Sequence, residues 1–88
     1  MTKAEVVAKL EAAVGGTPYG DAIVNEAKEV LVDGEKPKYY QNMVDRLHER
    51  IGVLQAYERI HRNAGEEAKA AAEEDKIAIV EKALAAIK

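Results

Sequence analysis

Four amphipathic segments, separated by short clusters of Gly, Pro and Asn, constrain what this chain can fold into. Each segment repeats its apolar residues at intervals of three and four, which is the spacing of one face of an α-helix. No segment shows the alternation of apolar and polar residues that is typical of a strand. Because the connections are only a few residues long, consecutive helices should lie side by side and run in opposite directions. The sequence predicts a single all-α domain over residues 1–88, an antiparallel up-down four-helix bundle.

Turn and capping residues set the expected ends of the helices. The predicted helices cover residues 2–14, 18–33, 37–63 and 66–87. Thr2 and Glu5 have the spacing of a capping box, and Thr17-Pro18 supplies an N-cap followed by proline at the first helical position. Gly34 is expected to end the second helix in a left-handed conformation. The first half of the fourth helix has no large apolar residue, so we expect it to fray or to pack weakly.

The third helix is the longest, and its core-facing stripe can be read from the sequence. This stripe consists of Tyr40, Val44, Leu47, Ile51 and Leu54, with Met43 at its edge as a filler of gaps in the core. Gly52 interrupts the helix at a cost of about 1 kcal/mol relative to Ala. It should mark either a close approach by a neighbouring helix or a local weak point, and the first is commoner in compact bundles.

Several kinds of function are excluded by residues that the chain lacks. It contains no Cys and no Ser, so thiolate and serine nucleophiles, disulfides, Cys-bearing zinc sites and a modified-serine carrier role are excluded. His48 and His61 lie thirteen residues apart, too far along one helix to share a metal ion. We expect no metal, no cofactor, no membrane span and no secretory signal, and we expect a cytoplasmic location.

Residues suited to making contacts are concentrated in the third helix. Every Arg, both His, both Gln and three of the four Tyr lie between positions 39 and 62, whereas the polar residues elsewhere are mostly Lys and Glu. One line along this helix, about 100° from the core stripe, combines aromatic, Arg and aliphatic side chains, the types enriched at binding hot spots. Its members are Tyr39, Arg46, Arg50, Val53, Tyr57 and Ile60, and His61 beside it could add a pH-sensitive contact. Alternatively, neighbouring helices cover this line, with the Arg stems lying along apolar surface.

The charge of the chain is unevenly distributed. Residues 36–63 carry six Lys or Arg and three acids, a local balance of +3 within a chain of net charge −3. This moderate basic character predicts a protein partner with an acidic patch. Nucleic acid is not the expected partner, because three acids interrupt the basic helix and the whole chain is acidic. A homodimer through the third helix is compatible with the same pattern.

Parts of the first three helices resemble a known family. The similarity lies in residues 3–7 (KAEVV), 31–37 (LVDGEKP) and 43–47 (MVDRL) continuing to Ile51. These segments resemble the immunity proteins of class II bacteriocins, particularly the enterocin A immunity type. The resemblance implies a cytoplasmic antiparallel four-helix bundle that protects a producing cell by engaging a peptide–receptor complex, without catalysis. The fourth helix is richer in Ala and Glu than is usual in that family.

Two further interpretations remain open. Lys, Glu and Ala on exposed helix surfaces, with regular caps, also fit an engineered binder or scaffold whose third helix carries an installed binding surface. The alternative to an interaction module is a small cofactor-free helical enzyme that uses Arg46 and Arg50 to bind an anionic substrate. Such an enzyme should have an enclosed pocket with both arginines pointing inward. The leading prediction is a non-catalytic protein-interaction module that presents the Arg/Tyr face of its third helix.

Overall fold

The computed structural model describes residues 1–88 and contains four α-helices and no strands. The helices are α1 (Lys3–Val14), α2 (Pro18–Val30), α3 (Pro37–Asn63) and α4 (Glu67–Ile87). They pack on one another as a helical bundle, which confirms the predicted fold class. No helix combines the length and the apolar character that crossing a membrane would need.

Contacts between the ends of the helices show their relative directions. The Lys3 amide at the start of α1 donates a hydrogen bond to the Gly34 carbonyl in the loop that follows α2. The Tyr40 hydroxyl at the start of α3 donates to the carbonyl of Ile87 at the end of α4. Each of these pairs joins the start of one helix to the end of its neighbour or to the loop after it. Helices α1 and α2 are therefore antiparallel, and so are α3 and α4.

The helices differ in length, and this leaves part of the bundle with only two helices. With 12 and 13 residues, α1 and α2 extend about 18–20 Å, whereas the 27 residues of α3 extend about 40 Å. The Tyr19 ring, at the start of α2, lies beside Arg50 of α3 and Lys76 of α4, so the shorter pair ends near that level. Residues 53–63 of α3 and 67–75 of α4 continue past it, and we call this part the α3–α4 overhang.

One apolar core joins all four helices. It contains 16 buried residues: Val6, Leu10, Val14, Ile23, Val24, Ala27, Leu31, Met43, Val44, Leu47, Leu54, Ile77, Val80, Ala83, Leu84 and Ile87. The predicted stripe of α3 faces this core, although Tyr40 and Ile51 are only partly buried. The sequence analysis predicted Met43 at the edge of the stripe, but Met43 is fully buried and is a central core residue.

The predicted end of α2 is three residues too late. The helix ends at Val30, and Leu31 is extended (φ −80°, ψ 147°) with its side chain buried. An extended backbone at this position lets Leu31 pack into the core while the chain turns towards α3. Gly34 does have a positive φ of 87°, but it belongs to the loop, not to the helix end.

Both predicted N-caps are present. The Thr2 hydroxyl accepts a hydrogen bond from the Glu5 amide at 3.2 Å, and the Glu5 carboxylate accepts one from the Thr2 amide, so the capping box is complete. The Thr17 hydroxyl accepts a hydrogen bond from the Gly20 amide at 3.1 Å, ahead of Pro18 in the first helical position. These caps confirm the expected starts of α1 and α2 to within one residue.

The first half of α4 was expected to fray or to pack weakly, and the structure contradicts only the fraying. The helix is continuous from Glu67, and Ala70 is fully buried against the overhanging part of α3. Arg62 at the end of α3 also forms ion pairs with Glu67 and Glu74. Ala70 is the only buried residue between Glu66 and Lys76 and lies outside the main core, so this half of α4 is helical but packs sparsely.

The close helix approach expected at Gly52 occurs at a different glycine. No atom of a neighbouring element lies within 4 Å of the position that a Cβ at Gly52 would occupy. At Gly20, by contrast, a methyl group would overlap the carbonyl oxygen of Val14, where the end of α1 meets the start of α2. Of the two alternatives for Gly52, a local weak point in the helix is therefore the correct one. Gly20 is the glycine that close packing requires.

Candidate functional site

The candidate contact residues form a continuous line along α3, which we call the α3 ridge: Tyr39, Arg46, Arg50, Val53, Tyr57 and Ile60. Tyr39 is 38% exposed, and Val53, Tyr57 and Ile60 are 53%, 51% and 59% exposed. The last three lie on the overhang, beyond the level at which α2 begins. No other helix covers these three residues, whereas Arg50 is partly covered by α2 through Tyr19 and Glu26, as the two-neighbour alternative expected for an arginine of this line.

A groove runs beside the ridge, between α2 and α3. It has a volume of about 1120 Å³, is open to solvent, and is lined by Ala22, Asn25, Glu26, Glu29, Val30, Tyr39, Asn42, Asp45, Arg46 and Glu49. Of the consecutive helix pairs, α2 and α3 make the sparsest contact, while α4 packs against all three other helices. Polar side chains line both walls of the groove. Tyr39 and Arg46 belong to both the groove and the ridge, so the two form one surface.

The two arginines of the ridge have different environments. The Arg50 guanidinium is half-buried and donates a hydrogen bond to Glu26 Oε2 at 2.5 Å, which links α3 to α2. Arg46 is exposed and forms no ion pair. Arg50 therefore has a structural role, and Arg46 is the cation that remains available to a partner.

Tyr19 packs against Arg50, a contact that sequence reasoning missed. Its ring centre lies 6.0 Å from the Arg50 guanidinium carbon and 5.7 Å from Lys76 Nζ, both at distances suited to cation–π interaction. Burial raises the pKa of Tyr19. The sequence feature that could have revealed this contact is the spacing of Tyr19, Ile23 and Glu26, which places the three residues on one face of α2. This cluster fills the end of the bundle just below the overhang.

His61 is not part of the α3 ridge. Its Nδ1 lies 3.2 Å from the Glu66 carboxylate, and its side chain faces the start of α4. The Glu66 amide donates to the His61 carbonyl and the Gly65 amide to the Arg62 carbonyl, so a Schellman motif ends α3. The pKa of Glu66 is lowered by hydrogen bonds, first from Lys69 and then from His61. His61, expected beside the line as a pH-sensitive contact, is therefore engaged within the chain by Glu66.

The basic character of residues 36–63 does not produce a basic surface at the ridge. Arg62 is held by Glu58, Glu67 and Glu74 at 2.7, 3.4 and 2.7 Å, which neutralises the end of α3. Four carboxylates line the groove beside Arg46, namely Glu26, Glu29, Asp45 and Glu49. The charges brought together by folding therefore differ from those that are neighbours in sequence, and the local surface is acidic.

Arg46 and Arg50, the two residues that would bind an anionic substrate if the protein were an enzyme, border an open depression. Arg46 and Arg50 lie there with Glu26, Glu49 and Val53 around a volume of about 220 Å³. The arrangement differs from the enclosed pocket with inward-pointing arginines that the alternative requires. No group of three or more His, Asp or Glu side chains is arranged to hold a metal ion.

Comparisons with models of protein families, with curated proteins and with solved structures find no match to this chain. The resemblance to bacteriocin immunity proteins therefore rests on the sequence segments alone. The function has to be argued from the surface that the fold presents.

Proposed function

We propose that this protein is a non-catalytic protein-interaction module that binds a protein partner through the α3 ridge. The supporting observation is the placement of its exposed apolar side chains. Five large apolar residues are exposed in the whole chain, and four of them, Tyr39, Val53, Tyr57 and Ile60, lie on the ridge. Single exposed apolar residues are common on proteins, but an aligned group on one helix is typical of an interaction site.

The position of the ridge also suits binding. Val53, Tyr57 and Ile60 are spaced at four and three residues, so they project from successive turns on the same side of a rigid helix. The overhang holds them clear of α1 and α2, where a partner can reach them without displacing part of the bundle. Tyr offers a large contact area at a small loss of side-chain entropy, which makes Tyr57 the expected centre of the interface.

The resemblance noted above and the engineered-scaffold interpretation are two forms of this function. In an immunity protein the ridge would engage a peptide–receptor complex from the cytoplasm. In an engineered binder the ridge would be the installed surface. Both require the same contact residues, so one set of variants tests them together.

Site-specific photocrosslinking tests the proposal. A photoreactive amino acid replaces Tyr57 in one variant and Gln55 in a matched variant, because Gln55 is exposed on the same turn but points away from the ridge. We expect one discrete adduct from position 57 and none from position 55, identified by mass spectrometry in extracts of the source cells. Equal crosslinking from both positions, or none from position 57, would argue against the ridge as a binding site.

Purified components complete the test. Once the adduct is identified, Tyr57→Ala should weaken binding to that protein by about tenfold or more, the usual effect of truncating a hot-spot aromatic residue. The melting temperature should stay nearly constant, because Tyr57 is exposed. A loss of stability as large as the loss of affinity would mean that Tyr57 supports the fold instead.

A further inference from the structure

The groove and the ridge have apolar contact points at both ends and charged side chains between them. Val30 and Tyr39 lie at one end, and Val53, Tyr57 and Ile60 lie at the other. Tyr39 and Val53 are 14 residues apart on α3, or roughly 21 Å. A partner segment that spans both contact points must therefore be at least that long.

The middle of this surface is acidic. The groove and the adjoining depression contain four carboxylates and only two guanidinium groups, those of Arg46 and Arg50. Arg50 is already paired with Glu26, whereas Glu29 and Glu49 are exposed and form no ion pair. Oε1 of Glu26 is buried and accepts no hydrogen bond. The surface therefore carries a net negative charge, and Glu29 and Glu49 are free to pair with a cation of a partner.

We infer that the α2–α3 groove and the α3 ridge bind a helical segment of the partner that has apolar residues at its two ends and Lys or Arg in between. This inference rests on the proposed function and specifies the chemistry of the partner. It replaces the acidic patch expected from sequence, because that expectation summed charges along the chain, whereas a partner meets the charges that folding brings together.

The shape of the surface favours a helix over an extended segment. The groove lies between two helices, and a third helix can pack against both at ordinary interaxial distances of about 8–10 Å. A peptide that binds as an added β-strand would need an exposed strand edge for its backbone hydrogen bonds, and the fold contains no strand. About 20 residues of helix would reach from Tyr39 to the overhang.

A second copy of this chain is a poorer occupant. A symmetric dimer through this face would bring the same acidic grooves together, so Glu29 and Glu49 of one copy would approach the like-charged groove of the other. Like charges placed opposite each other oppose association. A cationic partner removes this conflict.

Three synthetic peptides of about 20 residues test the inference. The first carries Leu and Tyr in its end turns and Lys on the same face between them, the second has Glu in place of Lys, and the third is a scrambled Lys peptide. Affinity is measured by fluorescence anisotropy at low and moderate salt, and the site is mapped by backbone amide shifts of the labelled protein. We expect the first peptide to bind at least tenfold more tightly than the other two and to perturb α2 and α3.

Protein variants test which carboxylates the affinity for the Lys peptide depends on. Glu29→Gln/Glu49→Gln should weaken binding of the Lys peptide by about threefold to tenfold, the range expected for two partly screened surface charges. Glu81→Gln is the matched control on α4, because Glu81 is likewise exposed and unpaired, and it should leave the affinity unchanged. Circular dichroism of each variant establishes that the fold is retained.

The other outcomes separate the two proposals. If the Glu peptide binds as tightly as the Lys peptide and loses affinity with Tyr57→Ala, the cationic partner is wrong and the ridge remains a binding site. If the scrambled peptide binds equally, or the shifts fall on α1 and α4, the groove is not the site. If none of the peptides binds, the inference is overturned, and photocrosslinking at position 57 still decides the proposed function.

Discussion

Replacing Gly52 by Ala should stabilise the protein, because the structure leaves open space where the methyl group would go. Gly52 lies within α3 and no atom of another element comes within 4 Å of the new Cβ. In an exposed helix interior, Ala is favoured over Gly by about 0.8–1 kcal/mol, since Gly loses more backbone entropy on folding. A domain of this size gains about 4–8 °C in melting temperature per kcal/mol, so we expect an increase of about 3–8 °C.

The matched substitution Gly20→Ala should have the opposite effect. There the methyl group would overlap the carbonyl oxygen of Val14 and crowd the Thr17 hydroxyl. The backbones of α1 and α2 would have to separate, and overpacking of this kind typically costs about 1–3 kcal/mol. Comparing Gly→Ala at these two positions therefore distinguishes the effect of helix propensity on stability from the effect of close packing.

Urea denaturation followed by circular dichroism at 222 nm measures both changes. With a urea m value of about 1–3 kcal/mol/M, a gain of 1 kcal/mol moves the midpoint upward by roughly 0.3–1 M. The slope should stay the same in Gly52→Ala. A destabilised Gly52→Ala variant with an unchanged slope would refute the reasoning, because it would mean that another element or another molecule packs against this side of α3.

Three more predictions follow from the same contacts. Tyr57→Gln/Ile60→Gln should change the free energy of unfolding by less than about 0.5 kcal/mol in urea denaturation, because exposed side chains lose little on substitution; a much larger loss would mean that the ridge is covered. Arg50→Ala should cost about 1–3 kcal/mol in the same assay, because it leaves the half-buried Glu26 carboxylate without its cation. The double variant Glu26→Gln/Arg50→Ala should recover part of that loss. Equal losses in the single and double variants would show that the pairing is unimportant. Because the pKa of Glu66 lies below its ordinary value of 4.5 in the folded state, its contribution to stability is present above that value and is lost as the pH falls through the folded pKa. Melting temperatures between pH 6 and 3 should therefore fall less steeply in Glu66→Gln, and parallel curves would contradict this role.

The features that sequence predicted well are those encoded within one or two helical turns. The capping box at Thr2, the cap at Thr17 and the apolar stripe of α3 depend on side chains that are three or four residues apart. Four helices separated by Gly and Pro follow from the same local rules. The composition of the ridge could also be read from sequence, because helical periodicity places its residues on one side.

Interactions between distant residues were not predictable in this way. The pair Glu26 and Arg50 is separated by 24 positions, and nothing in its local sequence distinguishes it from other pairs of opposite charge. Tyr19 was overlooked because its partners lie on α3 and α4. The early end of α2 likewise depends on a place in the core for Leu31, which the other helices provide.

The sequence by itself determined that this chain forms four amphipathic helices and that α3 carries a line of Tyr, Arg and aliphatic side chains. Only the tertiary structure decided that the apolar residues of this line are exposed, that Arg50 is paired with Glu26, and that the adjoining groove is acidic. Helix formation and capping depend on neighbours within a few residues. Exposure and surface charge depend on which helices lie alongside and where the shorter ones end, and those relations arise only when distant segments pack together.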